Sequence, residues 1–248
     1  MSDSLLHVRR SDGAGVPVVL VHGAMDRNTS FAKVAELLAP RPIVRYDRRG
    51  YGRSQAAGPG DLATHVDDLL VILGSRPAVL VGHSFGGLVA LGAAAAAPNL
   101  VPAVGTYEAP VPWVEWWPRR EDLLAADPRG AAEQVMRSFI GDARWERVPA
   151  RWKEARLAEG AAMAAEMSGL VPPDPPFDPS RLTMPVVVGC GSATGARARR
   201  GTDELAALLP TAARHVIPDA VHEAPVTDPP GYAAFVRATL RRAEGAAR

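Results

Sequence analysis

Residues 78–97 read AVLVGHSFGGLVALGAAAAA. A short apolar run enters Gly82-His83-Ser84-Phe85-Gly86, and an Ala/Leu/Val pattern of helical character follows without a break. A glycine two before and two after a serine, at a strand-to-helix junction, has a mechanical reason. The chain must turn sharply in a strained conformation, and side chains at the flanking positions would collide with neighbouring backbone. Such a turn lifts Ser84 Oγ clear of the sheet. It also sets the backbone N–H of Phe85 at a helix N-terminus, where partial positive charge favours an oxyanion. Ser84 is therefore a candidate nucleophile, and the rest of the chain has to supply what activates it.

Outward from this elbow the chain alternates. The apolar runs at 16–23, 42–47, 77–82 and 101–108 predict strands, and the amphipathic stretches at 31–39, 61–73 and 85–97 predict helices. Near-continuous apolar strands separated by helices imply a parallel sheet covered on both faces, which is the α/β class. The alternation stops between 111 and 180. Helical patterns around 120–126, 129–140 and 150–168 lead there into VPPDPPFDPS (171–180), a proline-rich return linker that cannot be a helix. Strand patterns resume at 184–191 and 213–218, with helices at 203–209 and 230–244. The expected organisation is one core, residues 1–110 and 181–248, carrying a helical cap, or lid, at 111–180.

The chain has 248 residues, 47% of them hydrophobic and 22% charged, as in an ordinary soluble globular protein. A formal net charge of +1 gives no global field for nucleic acid or an anionic membrane. The single cysteine, Cys190, excludes a disulfide framework and a thiolate metal cluster, and no metal or cofactor is expected. No window approaches 18 uninterrupted apolar residues, and MSDSLLHVRRSDG at the N-terminus lacks a secretory apolar core. A cytoplasmic protein acting on a small molecule is the expectation; the composition leaves the oligomeric state open.

Two further stretches join the elbow. LVHGAMDRNTSF (20–31) places His22-Gly23 at the end of an early strand, and RYDRRGYGRS (45–54) follows the next one. With GHSFG, in this order and spacing, they resemble the α/β-hydrolase fold family over essentially the whole chain. The resemblance implies an eight-stranded, mostly parallel sheet with a lid inserted after the sixth strand. It also implies that the second oxyanion donor is the backbone N–H of Ala24, with Met25 a neighbouring candidate. The arginines and Asp47 of YDRRGYGRS then belong to a structural loop.

A serine hydroxyl is a poor nucleophile until a base takes its proton. Of the six histidines, His7 is near the terminus, His65 sits in a helix, and His215 falls in the last strand. His22 and His83 fit as architectural residues beside the oxyanion loop and inside the elbow. His222 lies in the loop before the final helix, where the resemblance places the base, although Asp219-Ala220-Val221 replace the family's usual glycines.

The acid is where the chain departs. The commonest family pattern has an Asp a few residues after the seventh strand, and here that loop reads GCGSATGARARRGTDE (189–204), with Thr194 at the expected position. Threonine cannot carry the negative charge that stabilises an imidazolium. Glu108, at the end of the preceding strand, is the alternative. A right-handed crossover through 85–97 brings its strand beside the elbow's strand, with both carboxyl ends at one edge, where open α/β sheets bind ligands. In this detail the chain is similar to zearalenone-type lactonases. Asp203 is expected to start a helix as an N-cap, and Asp219 is tethered too close to His222 to orient it.

All five tryptophans lie in 111–180. Large, rigid, apolar side chains in a lid over a catalytic edge point to an apolar or aromatic substrate of modest size. Met25, Trp113, Trp116, Trp117, Phe139 and Trp145 are the candidate substrate-binding residues, and ARARR (196–200) is read as a solvated run. The expected function is hydrolysis of an ester or lactone by a Ser84–His222–Glu108 triad. A non-catalytic ligand-binding or accessory protein on the same fold, or cofactor-free peroxidase or C–C hydrolase chemistry, stays open.

Overall fold

Val18-Val19-Leu20-Val21 is apolar at every position, and the fold uses both faces of it. Val18 and Leu20 pack with Val79, Val81, Phe31, Val34 and Phe235 on one side, while Val19 and Val21 pack with Leu80, Leu69, Leu88 and Leu91 on the other. Side chains alternate across a strand, so only a sheet covered on both sides leaves no apolar face in water.

The computed structural model describes residues 5–118, 127–168 and 174–246. Its strands are β1 (Val8–Arg10), β2 (Val18–Val21), β3 (Ile43–Tyr46), β4 (Val79–His83), β5 (Val104–Tyr107), β6 (Val186–Gly191) and β7 (Ala212–Ile217), in the spatial order β1-β3-β2-β4-β5-β6-β7. All pairs are parallel except β1 with β3. Helices α1 (Ala32–Leu38), α2 (Leu62–Leu73) and α3 (Phe85–Ala96) follow the early strands. Between β5 and β6 come α4 (Pro128–Ile140), α5 (Asp142–Glu146), α6 (Ala150–Leu157) and α7 (Gly160–Ser168). The last are α8 (Ala196–Leu208), α9 (Ala224–Thr227) and α10 (Pro229–Ala246). Helices α2, α3 and α8 cover one face of the sheet, and α1 and α10 the other.

The expected α/β architecture is present, with seven strands among the described residues rather than eight. Between β1 and β2 the segment Ser11-Asp12-Gly13-Ala14-Gly15 is made of turn formers with no apolar alternation, so it adds no strand. The short edge strand β1 has one apolar residue, Val8, which is why periodicity did not point to it. The strand that the resemblance numbers as the sixth is thus β5.

Three further expectations are corrected. The helix placed at 203–209 begins at Ala196, because Ala and Arg propagate a helix and Gly195 serves as its N-cap. Asp203 therefore lies inside α8 and pairs with Arg214 at 2.7 Å, not at a helix start. The single pattern at 150–168 is broken into α6 and α7 at Ala158–Glu159, where the buried Glu159 carboxylate turns inward to Arg27, Arg156 and the Gly52 amide. The helical pattern at 120–126, and 171–173 of the proline linker, lie outside the described residues.

The inserted helices enclose their own apolar cluster, Ala131, Ala132, Val135, Met136, Trp145, Ala162 and Met163, which is completed by Met25 and Tyr51 from the sheet's loops. The chain leaves β2 toward β3 on one side and returns to β4 on the other. This switch point lies at the carboxyl ends of β2 and β4, the place where such sheets hold ligands.

Candidate active site

Register decides which side chains meet at that edge. Val21 pairs with Gly82, His83 with Tyr107, and Tyr107 with Gly189. The residues just beyond those pairs are His22-Gly23, Ser84, Glu108 and Cys190-Gly191, lined up across four neighbouring strands.

Ser84 has φ 52° and ψ −126°, a conformation that L residues rarely adopt, and it stands one residue ahead of α3. Its flanking glycines are demanded by contact. A Cβ on Gly82 would lie 2.1 Å from the Gly86 carbonyl oxygen, and one on Gly86 would lie 2.3 Å from that of Val21. The elbow is anchored by the Ser84 N–H donating to the Tyr107 carbonyl at 2.8 Å. Gly23 lies directly against it, since a Cβ there would sit 3.0 Å from Ser84 Cβ.

His222 comes from the loop between β7 and α9. Its Nδ1–H donates to Glu108 Oε2 at 2.7 Å, which leaves Nε2 with the lone pair. Its backbone carbonyl accepts from His83 Nε2 at 2.9 Å, and the two rings lie 4.7 Å apart, so His222 stands beside the residue preceding Ser84. Burial, followed by the neighbouring His222, pushes His83 down to about 3; it stays neutral, as an architectural residue should.

Glu108 is buried, and like Ser84 it has a positive φ, 49°. Its Oε1 accepts from the Gly191 amide at 3.0 Å and its Oε2 from Thr194 Oγ1 at 3.0 Å, besides His222. Burial alone would raise its carboxyl. The bonds from His222, Gly191 and Thr194 outweigh that and hold it below the ordinary glutamate range. Thr194, where an acid was expected, instead donates to the acid that stands one strand away.

The candidate pocket residues divide. Phe139, on α4, is half exposed with its ring 6.3 Å from His222, so an inserted helix reaches the catalytic edge. Met25 has φ 54° and is buried in the cluster under those helices. Trp145 corrects its assignment. It is 1% exposed inside that cluster with Nε1 donating to Glu133 at 3.1 Å, so the interior of the insertion uses it rather than a pocket wall. Trp113 packs edge-on against Phe177, while Trp116 and Trp117 lie under Arg200 and Arg197 of α8, and Trp116 also donates to Glu204 at 3.1 Å. The ARARR run is accordingly exposed but partly stacked, and Arg199 reaches the carbonyls of Ser192 and Thr194.

One cluster escaped the sequence reading. Arg48 and Glu166 are both fully buried and form an ion pair, with His65 Nε2 3.0 Å from the same carboxylate and the Tyr51 hydroxyl donating to it at 2.9 Å. The available signal is Glu166 itself, a lone acid in the apolar run AAMAAEMSG, since an unpaired carboxylate is almost never buried. Among the described residues no group of three or more His, Cys, Asp or Glu could hold a metal ion. No described helix is long and apolar enough to cross a membrane.

The chain is similar to known proteins in sequence and in fold. The sequence profile described as "Alpha/beta hydrolase family" matches residues 18–235. The chain is 40% identical over 103 residues to Lipase LipV of Mycobacterium tuberculosis, covering 40% of each chain. It is 36% identical over 136 residues to the pimeloyl-[acyl-carrier protein] methyl ester esterase of Chromobacterium violaceum, covering 52% of this chain and 53% of that one. These matches span about half or less of either relative's length. The fold is similar to a thermophilic esterase from Thermogutta terrifontis, with a TM-score of 0.76, 23% identity, and 96% and 93% of the two chains covered. It is also similar to the enol-lactonase from Burkholderia xenovorans LB400, with a TM-score of 0.72, 20% identity, and 95% and 96% covered. With the profile spanning both the elbow and the His222 loop, the chain belongs to the α/β hydrolase family.

Proposed function

We propose that this chain is a serine hydrolase that cleaves a carboxylic ester or lactone of a small apolar or aromatic substrate through an acyl-enzyme. The observation that carries this reading is the 2.7 Å contact between His222 Nδ1 and Glu108, one residue beyond the strand beside the elbow. A carboxylate held ionised there keeps His222 in the tautomer whose Nε2 can accept a proton. Ser84 Oγ attacks the substrate carbonyl as its proton passes to Nε2, and Glu108 stabilises the imidazolium. The N–H groups of Phe85 and Ala24 receive the oxyanion, and either donor is worth ~3–4 kcal/mol of barrier. Collapse expels the alkoxide, protonated by His222. A water deprotonated by His222 then attacks the acyl carbon and frees Ser84.

The inserted helices act as a cap in this reading, with Phe139 nearest the base as a substrate-facing apolar residue. Ester and lactone chemistry is the class that the names of the similar lipase, esterases and enol-lactonase carry.

A fluorophosphonate probe tests the proposal. Folded protein is expected to label at Ser84, located by peptide mass spectrometry, and to hydrolyse p-nitrophenyl acetate, with both lost in Ser84→Ala. Folded protein that neither labels nor turns over p-nitrophenyl esters or lactones would instead be a ligand-binding protein on a hydrolase fold.

A further inference from the structure

Arg48 is a large cation with no exposure, and its guanidinium is spent on the backbone that leads to the elbow. Nε donates to the His22 carbonyl at 2.9 Å and Nη2 to the Gly23 carbonyl at 2.9 Å, while Nη1 meets Glu166 Oε1. His22 closes the same loop. Its Nε2 accepts from the Arg48 N–H at 2.9 Å, and its Nδ1–H donates to the Gly23 carbonyl at 2.8 Å. Burial, and then Arg48, keep His22 well below the ordinary histidine range, so it holds this neutral tautomer.

The Gly23 carbonyl thus accepts two hydrogen bonds, one of them from a cation. Gly23 C=O and Ala24 N–H belong to one trans peptide and point in opposite directions. Pinning the oxygen toward Arg48 pins the Ala24 N–H the other way. A cation on the oxygen also draws electron density along the peptide, which makes that N–H a stronger donor. The guanidinium carbon lies 4.9 Å from the Phe85 ring as well, so one side chain braces both sides of the elbow edge.

The counter-charge comes from elsewhere. Glu166 lies on α7 of the insertion, 118 residues along the chain from Arg48. It is fixed by Tyr51 at 2.9 Å, and by His65, whose Nε2 at 3.0 Å donates and whose Nδ1 has no partner among the described residues. We infer that Arg48 is a positioning residue for the Ala24 oxyanion donor, and that Glu166 makes the seated insertion part of that donor's support. This inference rests on the proposed Ser84 hydrolase reading, and it adds two residues which that reading does not use.

Arg48→Met leaves Glu166 buried without its cation and risks unfolding, so Arg48→Lys carries the test. Lysine keeps the charge beside Glu166, but a single ammonium cannot span the three directions that the planar fork serves. With p-nitrophenyl acetate as substrate, Arg48→Lys is expected to lower kcat ~10–100-fold, short of or near the loss of a whole oxyanion donor. KM should stay within about threefold, because the ground-state carbonyl depends little on that donor. Affinity for an aryl trifluoromethyl ketone, which forms a tetrahedral oxyanion on Ser84, should fall by about the same factor as kcat/KM. A merely structural role would not link those two losses. If folded Arg48→Lys keeps wild-type kcat and inhibitor affinity, the inference is overturned while the hydrolase reading stands. A wild-type protein that neither labels nor hydrolyses ester overturns both.

Discussion

At the scale of single residues, the site is a set of short connections to one carboxylate. Glu108 receives His222, the Gly191 amide and Thr194, and each of these favours its ionised form. Glu108→Gln keeps the size and most of the geometry but removes the charge that stabilises an imidazolium. The amide also presents Nε2–H or Oε1 to His222 without preference for the productive tautomer. Ester turnover should fall by about 10⁴-fold, as for a comparable acid-to-amide change in a triad, with the far-UV circular dichroism unchanged. Near-wild-type kcat in that variant would mean that another group orients His222. Four of the six histidines divide by partner here. His22 and His83 are neutral struts, His65 is a donor to Glu166, and His222 alone touches Glu108.

At the scale of elements, the turn from β4 to α3 sets how closely that helix approaches β2. Gly86 sits against the carbonyl oxygens of Val21 and His22, at 2.3 and 2.6 Å from where a Cβ would be. Those atoms are backbone, held in register with β4, and they cannot rotate aside. Gly86→Ala is therefore expected to destabilise the protein by about 3 kcal/mol, the upper end for overpacking a tight site, read as a lower urea midpoint. A variant as stable as wild type would show that β2 and α3 separate easily. Element boundaries also explain what the sequence reading missed. Helix α8 runs back to Ala196 because helix propensity continues through ARARR, whereas hydrophobic periodicity begins only later in the helix. The α6–α7 break has no glycine or proline before Gly160; the partners of Glu159, distant in sequence, produce it.

At the scale of the molecule, three buried histidines make stability depend on pH above the range of carboxylates. His22, His65 and His83 all have depressed values, through burial first and then neighbouring cations or His222. Their folded forms stay neutral below pH 6.5, while the unfolded chain takes up protons there. The unfolded state then binds more protons, so stability falls as pH drops, by up to ~1.4 kcal/mol per unit for each histidine until its folded value is reached. For His83 that window runs from the ordinary 6.5 down to about 3. Glu108 and Glu166, held below the ordinary glutamate range, add a second loss only at more acid pH. Thermal midpoints measured from pH 8 to pH 4 should be level above about 7 and decline from just below 6.5. A midpoint level down to pH 4.5 would contradict the neutral, buried assignment of these rings.

The sequence by itself determined the alternation of strands and helices, the two-faced apolar sheet and the elbow around Ser84, because these follow from sterics and periodicity acting over a few residues. It also pointed to Glu108 as the candidate acid, because no carboxylate lies between Asp178 and Asp203 and Thr194 stands where one was expected. Only the tertiary structure decided what each side chain meets. Glu108 and His222 are 114 residues apart, and strand register together with the loop after β7 brings them to 2.7 Å. The same holds for Thr194 as a donor to Glu108, and for Trp145 as an interior residue of the insertion. The pairing of Arg48 with Glu166 is visible only in three dimensions, since a buried charge is tolerable solely where the fold delivers its partner.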